Sequence, residues 1–313
     1  MTIRAIFFGT PDFAVPTLKA LTAAPEIELI SVVTRPDKPA GRGKKMQAQP
    51  IKLLAGEMGL EVYQPASLKS EQALAWLQEK KPDVLVVVAY GGFVPTPIRE
   101  TPPLGCINLH PSLLPKYRGA APMQWAVING ETITGNTTMH LSDGWDDGDI
   151  IYQENEPIHP EDSFGILSER LSQKGGHLIV RSLLDIAAGT APRRPQNDAE
   201  ATMAPLIKNE DAQIDWNRSA VEIHNLVRGL NPIPGAFTFF EGKRWKILRT
   251  AVLAESPGSP GTIVGTEFNT IRISAADQVL EILELQPEGK KPMAASSFLR
   301  GFAIHPGAAC TSP

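Results

Sequence analysis

From Val84 to Tyr90 the chain reads VLVVVAY, a run with no charged residue and no polar–apolar alternation. It has the length of a strand, and its lack of alternation means that both faces of that strand must be covered. Strands buried on both faces belong to parallel sheets, whose crossover connections lay helices on either side. The neighbouring pattern agrees. Arg4 to Gly9 is an apolar strand, Phe13 to Ala23 has helical spacing through Val15, Leu18 and Leu21, and Glu28 to Thr34 is a second strand. Short helices are predicted over Ile51–Gly59 and Gln72–Lys80, and a further strand ends at Asn108 and His110. These alternating elements predict an α/β domain with a mostly parallel sheet. Ser163 is placed to cap a helix carrying Leu167, Leu171, Ile179, Leu183 and Ile186, interrupted at Gly175-Gly176 and ended by Gly189.

The composition then shifts. Residues 190–208, rich in Pro, Ala and polar side chains, lack apolar periodicity and read as an interdomain linker. Beyond them, Ser219 and Glu222 form a capping-box pattern that opens a helix to about Gly229. Short strands follow at Ala236–Phe240, Trp245–Val252, Thr262–Val264, Thr270–Ser274 and Val279–Leu285, separated by Gly or Pro turns. That spacing predicts a small β-barrel of OB type. The expected organisation is a catalytic domain over 1–189, a linker over 190–208 and a smaller barrel domain over 209–313. The 313 residues suit two domains on the usual scale of about 100–200 residues each.

No run of about 18 apolar residues predicts a membrane span, and the start of the chain lacks a signal-peptide layout. Cys106, in an apolar strand, and Cys310, near the end, suggest neither a disulfide framework nor a metal cluster, so a cytoplasmic protein without metal is expected. The net charge of −4 argues against a nucleic-acid partner, but its distribution is uneven. Residues 35–52 hold six basic side chains (Arg35, Lys38, Arg42, Lys44, Lys45, Lys52) and one acid, Asp37. A solvated surface loop is the plain reading of such a run. A phosphate-binding arm is the sharper one, supported by a second basic cluster at Lys243, Arg244, Lys246 and Arg249.

Asn108 and His110, two apart on a strand, share a face and project from its C-terminal end. Open α/β sheets place their ligands at that edge. An amide donor beside an imidazole suits an oxyanion and a moving proton. Pro111 and Pro115 stiffen the loop around Ser112, Leu113 and Leu114, which would expose backbone amides and apolar side chains to a flat heteroaromatic ligand. The first strand ends in Gly9-Thr10-Pro11-Asp12-Phe13. Its single glycine and its proline fit a dinucleotide cradle poorly, which weighs against an NAD-dependent dehydrogenase. In HLSDGWDDGDI (His140–Ile150), Asp143, Asp147, Gly148 and, further on, Glu154 fall at calcium-loop positions, but Trp145 stands where a ligand is needed, and a surface turn is the plain reading. The loop could instead bring Asp146 to His110, where a carboxylate would orient the imidazole.

Several of these segments together resemble one family. They are Gly9–Phe13, Arg35–Lys45, Asn108–Pro115 with Arg118-Gly119-Ala120-Ala121-Pro122, Asp146–Asp149, Asp215-Trp216, Asn231–Ala236 and Leu285–Met293. The chain resembles methionyl-tRNA formyltransferases nearly end to end. The Asn-x-His-x-Ser-Leu-Leu-Pro core is shared with formyl-folate enzymes acting on glycinamide ribonucleotide or amino sugars. The basic loop and the second domain are what point to the tRNA family. Pro111, Ser142 and Asp143 depart from the family pattern without replacing a catalytic position.

The resemblance implies a Rossmann-like N-terminal domain that binds 10-formyltetrahydrofolate as a cosubstrate, and a C-terminal barrel that helps to hold initiator Met-tRNA. It implies Asn108, His110 and Asp146 as catalytic residues, Ser112, Leu113, Leu114 and Pro115 as the folate-contacting loop, and Arg42, Lys44 and Lys45 as tRNA contacts. A monomer is expected. The competing readings are a formyltransferase for a small amine, either an amino sugar or glycinamide ribonucleotide, and a non-catalytic RNA-binding module.

Overall fold

The computed structural model describes residues 2–40, 45–266 and 269–311. The elements of the first half are β1 (Ile3–Gly9), α1 (Val15–Ala23), β2 (Ile27–Val33), β3 (Lys38–Ala40), β4 (Lys45–Gln47), α2 (Pro50–Glu57), β5 (Val62–Tyr63), α3 (Glu71–Lys80), β6 (Val84–Val88), α4 (Thr96–Arg99), β7 (Cys106–His110), α5 (Pro122–Ile128), β8 (Ile133–His140), β9 (Ile150–Pro157) and α6 (Phe164–Ala187). The remaining elements are α7 (Ala220–Gly229), β10 (Ala236–Phe240), β11 (Lys243–Leu253), β12 (Ile263–Gly265), β13 (Ile271–Ser274), β14 (Val279–Pro287), β15 (Met293–Ala294), α8 (Ala295–Leu299) and β16 (Cys310–Thr311). The chain divides into two compact units, one of residues 1–119, 134–157 and 168–203, the other of residues 120–133, 158–167 and 204–313. The boundary expected at 189 falls within the stretch 168–203 of the first unit, and α5 lies in the second. This grouping depends on packing that a composition shift cannot reveal.

The first unit is built on a sheet of order β5-β2-β1-β6-β7-β8-β9. From β5 to β7 its pairs are parallel, and β8 joins β7 antiparallel. Both faces of β6 are covered, as its sequence requires. Val84, Val86 and Val88 face a cluster with Leu18, Leu21, Ile179 and Leu183. Leu85 and Val87 face another with Leu77 and Ile98. The expected break in the long helix is absent: α6 runs unbroken for 24 residues. Its glycine pair serves approach instead. A Cβ on Gly175 would lie 2.4 Å from Leu109 Cδ2, and one on Gly176 would lie 3.1 Å from both Ala20 Cβ and Pro16 O.

The second unit carries a sheet of order β12-β13-β14-β11-β10-β16, with β15 paired to β14. Its strand pairs are antiparallel. The last stretch of chain pairs with both ends of that order. Cys310 and Thr311 pair with β10, while Ala309 bridges to Thr262. The Cys310 N–H donates to Gly261 O at 2.9 Å, and Ile263 N–H to Ala308 O at 2.8 Å. Gly261 allows this close approach, with φ of 80° and a Cβ position only 2.8 Å from Cys310 O. The expected barrel is thus nearly closed by a segment too short and irregular to be predicted as a strand. Trp216, Phe240, Trp245 and Phe298 fill it, and Ser219 and Glu222 form the expected capping box on α7. Among the described residues no helix is long and apolar enough to cross a membrane.

Candidate active site

Parallel register brings the C-terminal ends of β1, β6 and β7 to one edge, with Gly9 opposite Val88 and Val88 opposite Leu109. Asn108 and His110 leave β7 at that edge and are nearly buried, 9% and 4% exposed. The His110 Nε2–H donates to the Tyr117 carbonyl oxygen at 2.9 Å. A carbonyl can only accept, so the ring must carry a proton on Nε2. Its other nitrogen, Nδ1, lies 3.6 Å from Asp146 Oδ2. Among the described residues the Asn108 side chain makes no hydrogen bond.

Asp146 sits in the tight turn between β8 and β9 with φ of 50°, a strained value for a residue with a Cβ. Its Oδ2 accepts the Gly119 N–H at 2.9 Å. The turn is held on several sides. Asp143 pairs with Arg99 at 2.5 Å and accepts from Thr96 at 2.9 Å. Ser142 donates to Asp147, and Asp149 pairs with Arg193 at 2.6 Å. Gly148 is required there, since a Cβ would lie 1.8 Å from His140 O. Carboxylates that suggested calcium from sequence are thus occupied by the protein's own donors. Among the described residues no three His, Cys, Asp or Glu side chains gather as a metal would need. Trp145 is exposed.

The proline-flanked loop differs from its expectation. Two of its amides are not displayed: Ser112 N–H donates to His110 O at 2.9 Å and Leu114 N–H to Thr137 Oγ1 at 3.2 Å. Ser112 is fully buried and donates its hydroxyl to Lys116 O at 2.6 Å. Leu114 is buried with Met139 and Ile150. Leu113 and Pro115 are only partly buried. Leu113 nonetheless lies against β8, where a Cβ on Gly135 would fall 2.6 Å from its Cδ2. Of the basic loop, Arg42 and Lys44 lie outside the described residues, and Lys45 opens β4, which pairs antiparallel with β3.

Two groups of residues at this edge were given no site role from the sequence. Thr10 donates to Tyr90 O at 2.8 Å, and the Arg35 guanidinium lies 5.9 Å from the Tyr90 ring. Burial pushes the pKa of the Tyr90 hydroxyl up, against the neighbouring Arg35 guanidinium, which pulls it down. The second group lies in the expected linker. Gln196 Nε2 donates to the carbonyls of Asp146 and Gly148, each at 2.8 Å. Arg194 pairs with Ile150, and Thr202 O accepts the Arg118 N–H at 2.8 Å. From Arg193 to Met203 the chain is therefore a strap bonded to the first unit, and only the rest of the segment is left as a connector. Its polar residues face loops, so no periodicity marks it.

This edge supplies an unsatisfied amide, an imidazole with one nitrogen free to exchange a proton, and a carboxylate beside it. A sequence model of the family described as formyl transferase matches residues 1–183, and one described as formyl transferase, C-terminal domain, matches residues 206–303. The methionyl-tRNA formyltransferase of Thermodesulfovibrio yellowstonii is 47% identical over 307 residues, covering 98% of each chain. That of Syntrophus aciditrophicus is 43% identical over 306 residues, covering 97% of this chain and 98% of the relative. Among solved structures, HypX from Aquifex aeolicus in complex with tetrahydrofolic acid matches with a TM-score of 0.65 and 16% identity, over 100% of this chain and 51% of that one. The chain thus spans about half the length of HypX. An N-formyltransferase from Helicobacter canadensis, solved with folinic acid and dTDP-3-aminofucose, matches with a TM-score of 0.67 and 19% identity, over 90% of this chain and 99% of that one. Those two likenesses show the fold. The sequence relatives, alike over nearly the whole length and across both units, establish that the chain belongs to the methionyl-tRNA formyltransferase family.

Proposed function

We propose that this protein transfers the formyl group of 10-formyltetrahydrofolate to the α-amine of methionine on initiator Met-tRNA, with Asn108, His110 and Asp146 as its catalytic residues. The carrying observation is the pairing of His110 Nδ1 with Asp146 at the sheet edge, 3.6 Å apart, beside an amide without a partner. The Asn108 amide, on a residue 9% exposed at the sheet edge, has no protein partner among the described residues, which suits a formyl-bearing ligand. In the cosubstrate, 10-formyltetrahydrofolate supplies an acyl carbon whose oxygen gains negative charge as the amine attacks. The Asn108 amide donates to that oxygen, and one such donor is worth about 10²–10³-fold in rate. The attacking amine loses a proton and the departing nitrogen gains one. His110 Nδ1 is the ring atom that can carry it, because Nε2 is committed to Tyr117. Asp146 fixes the ring and balances the charge of the imidazolium.

Leu113 and Pro115 are the parts of the proline-flanked loop available to contact folate, while Ser112 and Leu114 hold its shape. The arm with Arg42, Lys44 and Lys45 engages tRNA phosphates; the support for this is its charge, six basic residues against one acid over 35–52. We place the protein in the cytoplasm as a monomer, with two unpaired cysteines and a closed core in each unit as support. The test is direct. Incubated with 10-formyltetrahydrofolate labelled in its formyl group and charged initiator tRNA, the protein should yield labelled formylmethionine after deacylation. Formylation of an amino sugar or glycinamide ribonucleotide with Met-tRNA left untouched would overturn the reading, as would tight tRNA binding without transfer.

A further inference from the structure

We propose that Gln196 is a positioning residue for this reaction, clamping the strained Asp146 turn so that its carboxylate stays on His110; the inference rests on the roles of His110 and Asp146 given above. A side-chain-bearing residue at φ of 50° persists only where its surroundings over-determine it. Gln196 supplies that determination. Its primary amide has two N–H bonds, one for the Asp146 carbonyl and one for the Gly148 carbonyl, both at 2.8 Å. Its oxygen accepts the Arg118 Nε–H at 3.0 Å, and Arg118 Nη2 in turn donates to Asp198 Oδ1 at 2.8 Å. The amide therefore has one orientation. Flipped, it would set oxygen against two carbonyl oxygens and hydrogen against a guanidinium.

The same strap fixes the other side of His110. Thr202 Oγ1 accepts the Tyr117 N–H at 2.8 Å, and Thr202 O accepts the Arg118 N–H at 2.8 Å. Tyr117, itself at φ of 63°, offers the carbonyl that holds His110 Nε2. Both neighbours of the imidazole, the carboxylate on Nδ1 and the carbonyl on Nε2, are thus tied to residues 196–202. Gln196 acts through Asp146, and its loss should be felt in turnover before it is felt in binding.

Gln196→Glu is the sharpest variant. It keeps size and an acceptor for Arg118 but turns an oxygen toward the two carbonyls. Gln196→Met keeps the volume without charge and carries the same test should the glutamate variant fail to fold. The expected result is a kcat for Met-tRNA formylation lowered by about 10²-fold, with the KM for 10-formyltetrahydrofolate unchanged. Under single-turnover conditions, adding Gln196→Glu to Asp146→Asn should cost nothing further, because both changes remove one function. Wild-type kcat in both Gln196 variants would overturn the inference while leaving the functional reading intact. So would losses that multiply with that of Asp146→Asn. Absence of transfer by the unsubstituted protein would remove the reading and the inference together.

Discussion

His110 can trade a proton through one ring nitrogen only, since the Tyr117 carbonyl occupies the other. Asp146 faces the working nitrogen and accepts the Gly119 N–H as well, so its carboxylate is anchored from a second direction. His110→Ala and Asp146→Asn should each lower kcat by about 10²–10⁴-fold, with folate affinity, read by fluorescence titration, preserved. Near-normal turnover in either variant would strike that residue from the mechanism. A second carboxylate works for stability. Glu156 is 3% exposed; burial alone would raise its pKa, but hydrogen bonds from Lys174 and Arg170 outweigh it and hold the group below its ordinary value. Because the folded pKa is lowered, the contribution is complete above the unfolded value and is lost as pH falls through the folded one. Glu156→Gln should cost about 1–3 kcal/mol at neutral pH, since the two cations can partly re-enter water. The gap from the parent protein should close as the pH drops below the carboxylate range, and a gap constant from neutral to acid pH in thermal melts would refute this. At this scale Asn108 and His110 were legible because a two-residue spacing on a strand fixes a shared face. Asp146 was nameable as a carboxylate that its loop could carry to His110, a role the family resemblance also implied, and Gln196 was hidden in a segment whose polarity looked like exposure.

Elements were legible where burial writes a period into the sequence. β6 has both faces in apolar clusters, and an uninterrupted apolar run is what such a strand must look like. The capping box of α7 was equally plain, because its two side chains satisfy local backbone groups and answer to nothing distant. The glycine pair in α6 misled for the opposite reason. Glycine costs helix stability locally, and only the approach of β7 to Gly175 and of α1 to Gly176 explains why the pair stands there. Gly175→Ala should push Leu109 off its rotamer, since the new Cβ would lie 2.4 Å from its Cδ2. Leu109 separates Asn108 from His110, so the strain lands within the site. The expected cost is about 1–3 kcal/mol in stability, accompanied by a fall in kcat. An unchanged thermal midpoint and rate would mean that β7 and α6 have slack between them.

At the scale of the molecule, each unit closes its own hydrophobic core, and the sequence anticipated the pair of folds while missing where the chain crosses between units. Crossings leave no local mark: residues 120–133 and 158–167 read as ordinary connections of the α/β pattern. Barrel closure shows the same limit. Residues Ala308 to Thr311 have no alternation to declare a strand, yet they pair toward both β10 and β12. An antiparallel sheet without that seam exposes two edges with unpaired amides. Ending the chain at Pro306 should therefore open the barrel locally. Ile263 N–H would lose the Ala308 carbonyl that it meets at 2.8 Å, and β10 would lose its β16 partner. Hydrogen exchange should rise in peptides covering 236–240 and 261–265, while the fully buried strand at 84–88 keeps its protection. Met-tRNA formylation should weaken through the KM for tRNA, because the barrel is the unit assigned to hold it. Unchanged exchange at both edges would show that the terminal segment lies against the barrel without closing it.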